Sequence, residues 1–213
     1  MPKGSEALTR ARKEEIINAC ADLYETMNFK DVTLKDISKK TSFTRTLIYY
    51  YFHTKEEIFL ALLQREYEAW IEDLEVLLNT YEQMSVEQFA DALAQSLERR
   101  HRLLKLMSMN HYDMEANSRM ENLVAFKVAY GNAMKAVTRC LEKFFPQLSP
   151  LERQSFIYAF FPFMFGIYPY TVVTDKQREA LAQANADYVY YSIYELTHSM
   201  VLKLLQGADE VSC

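Results

Sequence analysis

Glycine and proline punctuate this chain rarely: four glycines and five prolines serve 213 residues. Sheets need those residues in their turns, so a chain this short of them is pressed towards long helices with few breaks. The apolar spacing agrees. Ile16, Cys20, Leu23, Tyr24 and Met27 recur at the three- and four-residue steps of one helix face. Half of the residues are hydrophobic and a quarter charged, the balance of a folded chain of one or two domains. The expected fold is all-α, with about nine helices.

Residues 1–55 hold ten Lys/Arg against seven Asp/Glu, a balance of +3, so with the whole chain at −5 the remainder carries −8. A mildly basic head on an acidic body suits a protein that touches a polyanion at one end. Within the head, Thr33-x-x-Asp36 loosely resembles a capping box and opens a short helix to about Lys40. Thr41-Ser42-Phe43 is long enough only for a tight turn, and Thr44 caps a second short helix, Arg45 to Tyr51. The next helix begins near Lys55-Glu56-Glu57, with acids in its first turn.

Two short helices joined by three or four residues and braced by a third have the dimensions of a helix-turn-helix unit. On the second, Leu47, Ile48 and Tyr51 share a face that can pack inward, while Arg45, Thr46, Tyr49 and Tyr50 fall mainly on the other. Arginine reads guanine bidentately, a threonine methyl touches thymine, and tyrosine hydroxyls suit phosphate oxygens. Lys55 is placed to neutralise a flanking phosphate. The bland reading of the same residues is a small helical subdomain with a solvated face.

The run Ile37-Ser38-Lys39-Lys40-Thr41-Ser42-Phe43-Thr44-Arg45-Thr46-Leu47-Ile48-Tyr49-Tyr50-Tyr51-Phe52-His53-Thr54-Lys55-Glu56-Glu57 resembles the N-terminal signature of TetR-family transcriptional repressors. That signature usually reads Ile-Ala, two variable residues, Ala-Gly-Val-Ser, then Leu-Tyr-x-Tyr-Phe, two variable residues and Lys-Glu. The quoted run is 21 of the 213 residues, and the head that it belongs to is about a quarter of the chain. The resemblance implies an all-helical homodimer with a DNA-binding head at residues 1–54 and a ligand-binding and dimerisation body at 55–213. It also implies that Thr33 and Thr44 cap helices and approach phosphate, that Arg45, Thr46 and Tyr50 face bases, and that Tyr49 and Lys55 hold the backbone. Ser42 stands where the signature has its turn glycine, so a non-glycine is expected in left-handed geometry there. Tyr50 stands where histidine is frequent, so no relative's operator sequence can be borrowed.

In the body, Ser85-x-x-Gln88 opens a helix to about Leu104, a shorter helix covers Leu106 to Asn117, and a long one runs from Asn117 or Ser118 to about Phe145. Ser149-Pro150-Leu151-Glu152 is another start signal, with a bend expected at Pro162. A final helix is expected from Lys176 to Gln206, closed by Gly207. The charge-free run Phe156 to Thr174 approaches membrane-span length, but Pro162, Gly166, Pro169 and its polar groups favour a buried or interface helix and no membrane contact. By the resemblance, Phe156, Phe160, Tyr188, Val189, Ile193, Leu196, Met200 and Leu204 form the dimer interface. Trp70, His101, Met107, His111, Phe126, Tyr130 and Met164 line a pocket for a small hydrophobic effector, with ordinary core packing as the competing explanation for each.

Three distant cysteines make neither a metal site nor a disulfide framework, and no signal peptide precedes the first helix, so a reducing cytoplasm is expected. No phosphate-binding glycine loop, metalloprotease pair or nucleophile elbow occurs, so no enzymatic activity and no cofactor are expected. The function expected is a ligand-responsive repressor released from a palindromic double-stranded operator. The alternative is an all-helical ligand-binding or scaffolding protein whose head contacts another protein.

Overall fold

The computed structural model describes residues 3–109 and 111–206, with the backbone alone at 3, 4, 111 and 112; the expectations placed on Gly207 and on the side chain of His111 lie outside these described residues. Eleven helices and no strand occur among them: α1 Lys3–Thr26, α2 Leu34–Lys39, α3 Arg45–Tyr51, α4 Lys55–Thr80, α5 Val86–Arg99, α6 His101–Met107, α7 His111–Ala116, α8 Met120–Phe144, α9 Pro150–Thr171, α10 Asp175–Gln183 and α11 Ile193–Gln206. The chain divides into two compact units, residues 1–66 with 109–130, and residues 67–108 with 131–213.

Side-chain caps set most of the starts. Thr33 and Thr44 accept the Asp36 and Leu47 N–H groups at 3.3 Å each. Reciprocal capping boxes open α5 (Ser85, Gln88), α9 (Ser149, Glu152) and α10 (Thr174, Gln177). Each satisfies two N–H groups the helix would leave unpaired, a contribution of about 1 kcal/mol.

In the first unit, Ile16, Cys20, Ile37, Ile48 and Phe59 are fully buried. Tyr24 and Phe29 set their rings edge-on to Phe59 at 5.2 and 4.8 Å. α2 packs on α1 and on α3, and the second short helix turns Ile48 and Tyr51 inward. Full burial of such a side chain stabilises the fold by about 1.5–3 kcal/mol. Burial also pushes the Cys20 thiol up to about 12, partly offset by Arg65 and Lys55, so it behaves as a small hydrophobe.

In the second unit, α11 packs against α5 and α9, and α6 against α9. Trp70 lies 6.1 Å from Phe161 and donates its Nε1 hydrogen to Ser96 Oγ at 3.0 Å. Phe89 meets Phe145 edge-on at 5.4 Å.

Three boundaries differ from expectation. The helix from Ser85 stops at Arg99, because Arg100 turns back to Asp73 at 2.7 and 2.9 Å and to Ala69 O at 3.0 Å. The helix expected from Leu106 to Asn117 is divided between the end of α6 and α7, while α9 runs on through Pro162, where a bend is expected, and through Pro169. The final helix is two: Asn185 adopts φ +50°, residues 185–192 are non-helical, and Ser192 exchanges hydrogen bonds with Glu195 at the start of α11. The strap between them is rich in β-favouring residues, Tyr188, Val189, Tyr190 and Tyr191, so Tyr188 and Val189 lie outside the helix to which they were assigned.

Candidate nucleic-acid interface

Helix α3 presents two chemically opposite faces. Ile48 and Tyr51 are buried, while Arg45, Thr46, Tyr49 and Tyr50 are exposed, Tyr50 at 76%. The outer side chains are already organised. Arg45 Nη2 donates to Tyr49 Oη at 2.8 Å, and the guanidinium lies 5.4 Å from the Tyr49 ring centroid. One turn of helix separates the two, the i,i+4 spacing that brings side chains together, so Arg45 points outward with part of its rotamer freedom removed. Thr33 and Thr44 serve as caps, and both remain exposed.

The turn before α3 departs from expectation. Asn185 is the one non-glycine residue with positive φ among the described residues, so Ser42 is not left-handed. Its N–H donates to Glu15 Oε1 at 2.7 Å, and Thr41 Oγ1 accepts the Phe43 N–H at 3.4 Å. The turn is thus fastened to α1 by a side chain, which removes the need for glycine's torsional freedom.

Lys55 is also placed differently. Its Nζ donates to the carbonyls of Phe29, Val32 and Lys30 at 2.8, 3.2 and 3.4 Å and stands 4.4 Å from the Phe29 ring centroid. The ammonium pins the start of α4 to the α1–α2 connection.

A buried clasp, absent from the sequence reading, fixes the far end of α3. Glu57 is 1% exposed and accepts the His53 N–H at 2.8 Å, the Arg119 N–H at 2.9 Å and the Arg119 guanidinium at 2.7 and 3.0 Å. The same guanidinium donates to Tyr51 O at 3.1 Å. Burial raises the Glu57 pKa, but the hydrogen bonds from Arg119 and His53 outweigh it and hold the carboxylate down to about 2. The glutamate at the head of α4 was visible in the sequence, but nothing there marked Arg119, 62 residues away, as its partner.

The expected pocket residues belong to both units. Trp70, Met107 and Met164 are buried in the second unit, and Phe126 is buried in the first beside half-buried Tyr130. His101 is exposed. Two surface cavities of the second unit, about 470 and 270 Å³, include none of them. Of the expected interface residues, Phe156 and Phe160 are buried within the second unit and Ile193 nearly so, whereas Leu196, Met200 and Leu204 are half-exposed and Val189 is exposed. Among the described residues no group of three or more His, Cys, Asp or Glu is placed to hold a metal ion.

Residues 16–62 match the family model of bacterial regulatory proteins, tetR family, and residues 64–210 match that of the tetracyclin repressor-like C-terminal domain. The chain belongs to the TetR family. It is therefore a DNA-binding transcriptional regulator of an all-helical fold, and regulators of this family are not enzymes. Three solved structures show the same TetR fold. The fatty acid degradation regulator FadR from Bacillus halodurans is 16% identical, with 92% of this chain and 95% of that one covered at a TM-score of 0.58. A TetR/AcrR-family regulator from Thermobifida fusca is 17% identical, covering 92% and 98% at 0.58. A transcriptional regulator from Rhodococcus sp. Rha1 is 13% identical, covering 92% and 97% at 0.59. A comparison with curated proteins finds no match. Among the described residues of this TetR protein no single helix is long and apolar enough to cross a membrane; α9 and α10 reach that composition only as a pair bent by 81°.

Proposed function

We propose that this regulator is a cytoplasmic homodimeric repressor that releases a roughly palindromic operator when a small hydrophobic effector binds its body. In this reading residues 1–54 bind DNA and residues 55–213 carry the ligand and the dimer contacts. α3 enters the major groove with Arg45, Thr46 and Tyr50 at base edges. Thr33 and Thr44 approach the phosphate backbone, and Tyr49 steadies Arg45. The observation that carries the reading is the two-faced α3, in which Ile48 and Tyr51 anchor the helix while Arg45, Thr46, Tyr49 and Tyr50 stand in solvent.

In the body, the buried Trp70, Met107 and Met164 of the second unit supply the adaptable apolar surroundings that a hydrophobic effector requires. For release, the effector must bind more tightly to a state whose two heads no longer fit adjacent grooves. Affinity of the purified protein for its own promoter DNA, measured across a salt series, tests the DNA arm. Binding should weaken linearly on logarithmic axes as phosphate counterions are released. Footprinting should give two half-sites about one helical repeat apart. Salt-independent association, or protection of a single half-site, would remove the dimeric-operator reading. A thermal-shift screen of apolar compounds, followed by operator release, tests the effector arm.

A further inference from the structure

Tyr50 is the most exposed large apolar side chain among the described residues, yet the chain holds it in place. Its ring meets the Tyr51 ring edge-on at 5.1 Å, and Tyr51 is buried. The Tyr51 hydroxyl accepts a hydrogen bond from Arg12 Nη1 at 3.0 Å, 39 residues away in sequence. The same guanidinium lies 6.0 Å from the ring centroid of Phe43, in the turn before α3. Arg12 of α1 thus clamps the buried ring on which Tyr50 rests. A surface ring free to swing gives up rotamer entropy when it meets a ligand, whereas a braced one has given up part of it in advance. A merely solvated tyrosine gains nothing from such a brace.

The neighbours of Tyr50 narrow what it can read. Arg45, engaged with Tyr49, is the side chain of α3 suited to a guanine edge. The exposed face of α3 holds no Asn or Gln to take adenine bidentately, and no Asp or Glu to accept from the cytosine amino group. Thr46 stands one turn before Tyr50 on the same side and offers a methyl group. The stripe that these two form is therefore apolar on its flank. The major groove displays one apolar group on a base edge, the 5-methyl of thymine. A tyrosine ring covers such a methyl while its hydroxyl, at the far end, meets water or a phosphate oxygen.

We propose that Tyr50 reads a 5-methylated pyrimidine in the operator, with Tyr51 and Arg12 as the positioning residues of that contact. This rests on the operator binding proposed above and gives one of its contacts a chemistry. The ring touches the methyl group and not the hydrogen-bonding edge of the base. Thymine and 5-methylcytosine therefore rank together at this position, and uracil and cytosine rank together below them. An operator carrying cytosine there gains affinity in its 5-methylated form, so this contact is sensitive to the methylation state of the DNA.

The test uses the full chain and the tightest duplex selected from a random pool, with each thymine exchanged in turn for deoxyuridine. That exchange removes the methyl group and keeps the base pairing. At one position of each half-site the parent should lose about fourfold in affinity, the worth of one buried methyl group. 5-Methylcytosine paired with guanine should bind there within about twofold of thymine, and unmethylated cytosine should not. Tyr50→Ala should erase the methyl effect at that position, and Tyr50→Phe should keep it. Tyr51→Phe and Arg12→Met, which break the brace but keep the ring and the aliphatic stem, should shrink the methyl effect while the guanine preference set by Arg45 stays unchanged. Loss of both preferences together would make Arg12 a structural residue and overturn its positioning role. Uracil that matches thymine at every position, methyl effects that all survive Tyr50→Ala, or an effect lost in Tyr50→Phe would overturn the methyl contact and leave DNA binding standing. A parent protein with no salt-dependent affinity for any duplex overturns the operator reading as well.

Discussion

Replacing Glu57 by glutamine tests the clasp that holds the recognition helix. The carboxylate is almost fully buried, and it receives four hydrogen bonds, two of them from the Arg119 guanidinium. A folded-state pKa of about 2, against an ordinary 4.5, corresponds to about 3 kcal/mol of preference for the charged form in the folded protein. Losing one partner of a buried pair costs about 3–5 kcal/mol, which brackets the same figure. Because the folded pKa is depressed, this stability is fully present above about pH 5 and is lost as pH falls through the interval towards 2. Urea denaturation at pH 7 should therefore place Glu57→Gln about 3 kcal/mol below the parent. The gap should narrow steadily as the pH is lowered towards 2, where the parent's own carboxyl becomes neutral. Operator affinity should fall with it, since Arg119 also anchors Tyr51 O at the end of α3. A gap that stays constant from pH 7 to 3 would refute the depressed pKa and the energetic weight assigned to the clasp.

Lys55→Met, which keeps the aliphatic stem and removes the ammonium, should cost about 1–2 kcal/mol of stability through three lost carbonyl partners. It should leave the salt dependence of DNA binding unchanged; a slope reduced by about one would return Lys55 to a phosphate. Arg45→Ala should alter preference at one base position by about 1–3 kcal/mol. Tyr49→Phe, which removes only the hydroxyl holding Arg45, should blunt the same position; uniform weakening across all sequences would make Tyr49 a backbone contact instead. Leu196→Glu with Met200→Glu should give monomers with greatly reduced operator affinity, and an unchanged sedimentation coefficient would take α11 out of the interface.

Local signals were legible in the sequence, and long-range ones were not. Thr33, Thr44, Ser85 and Ser149 were readable as caps because a cap is decided within four residues, and each opens a helix in the structure. The two faces of α3 followed from helical periodicity in the same way. The break before α11 also had a local signal, Ser192-x-x-Glu195, but it lay at the end of a tyrosine-rich run whose apolar spacing mimicked a continuous helix. Ser42 and Lys55 could not be read locally. The partner of one is Glu15, 27 residues earlier, and those of the other are carbonyls 23 to 26 residues earlier. A cation near a helix start is equally compatible with a phosphate or with a carbonyl cage, and only tertiary structure separates the two.

The composition of the head's outer surface argues for a polyanion more strongly than its geometry does. Acids make up 29 of the 213 residues, yet positions 37–52, from the second half of α2 (after Asp36) through the turn to the C-cap of α3, contain none and hold Lys39, Lys40 and Arg45. A merely solvated helical face in so acidic a chain would carry glutamate among its charges, as α4 and α5 do. On α3 the exposed positions are instead filled by one arginine, one threonine and two tyrosines. Exposed tyrosine rings gain free energy when covered, and their hydroxyls stay satisfied only by a polar partner. An acid-free, cationic, hydroxyl-rich strip one short helix long meets both conditions in a DNA major groove, where phosphates flank a floor of base edges. A protein partner would need an acidic groove of the same width. The salt series and the base-specific effect of Arg45→Ala distinguish the two, because a protein groove has no register of bases along which preference could shift.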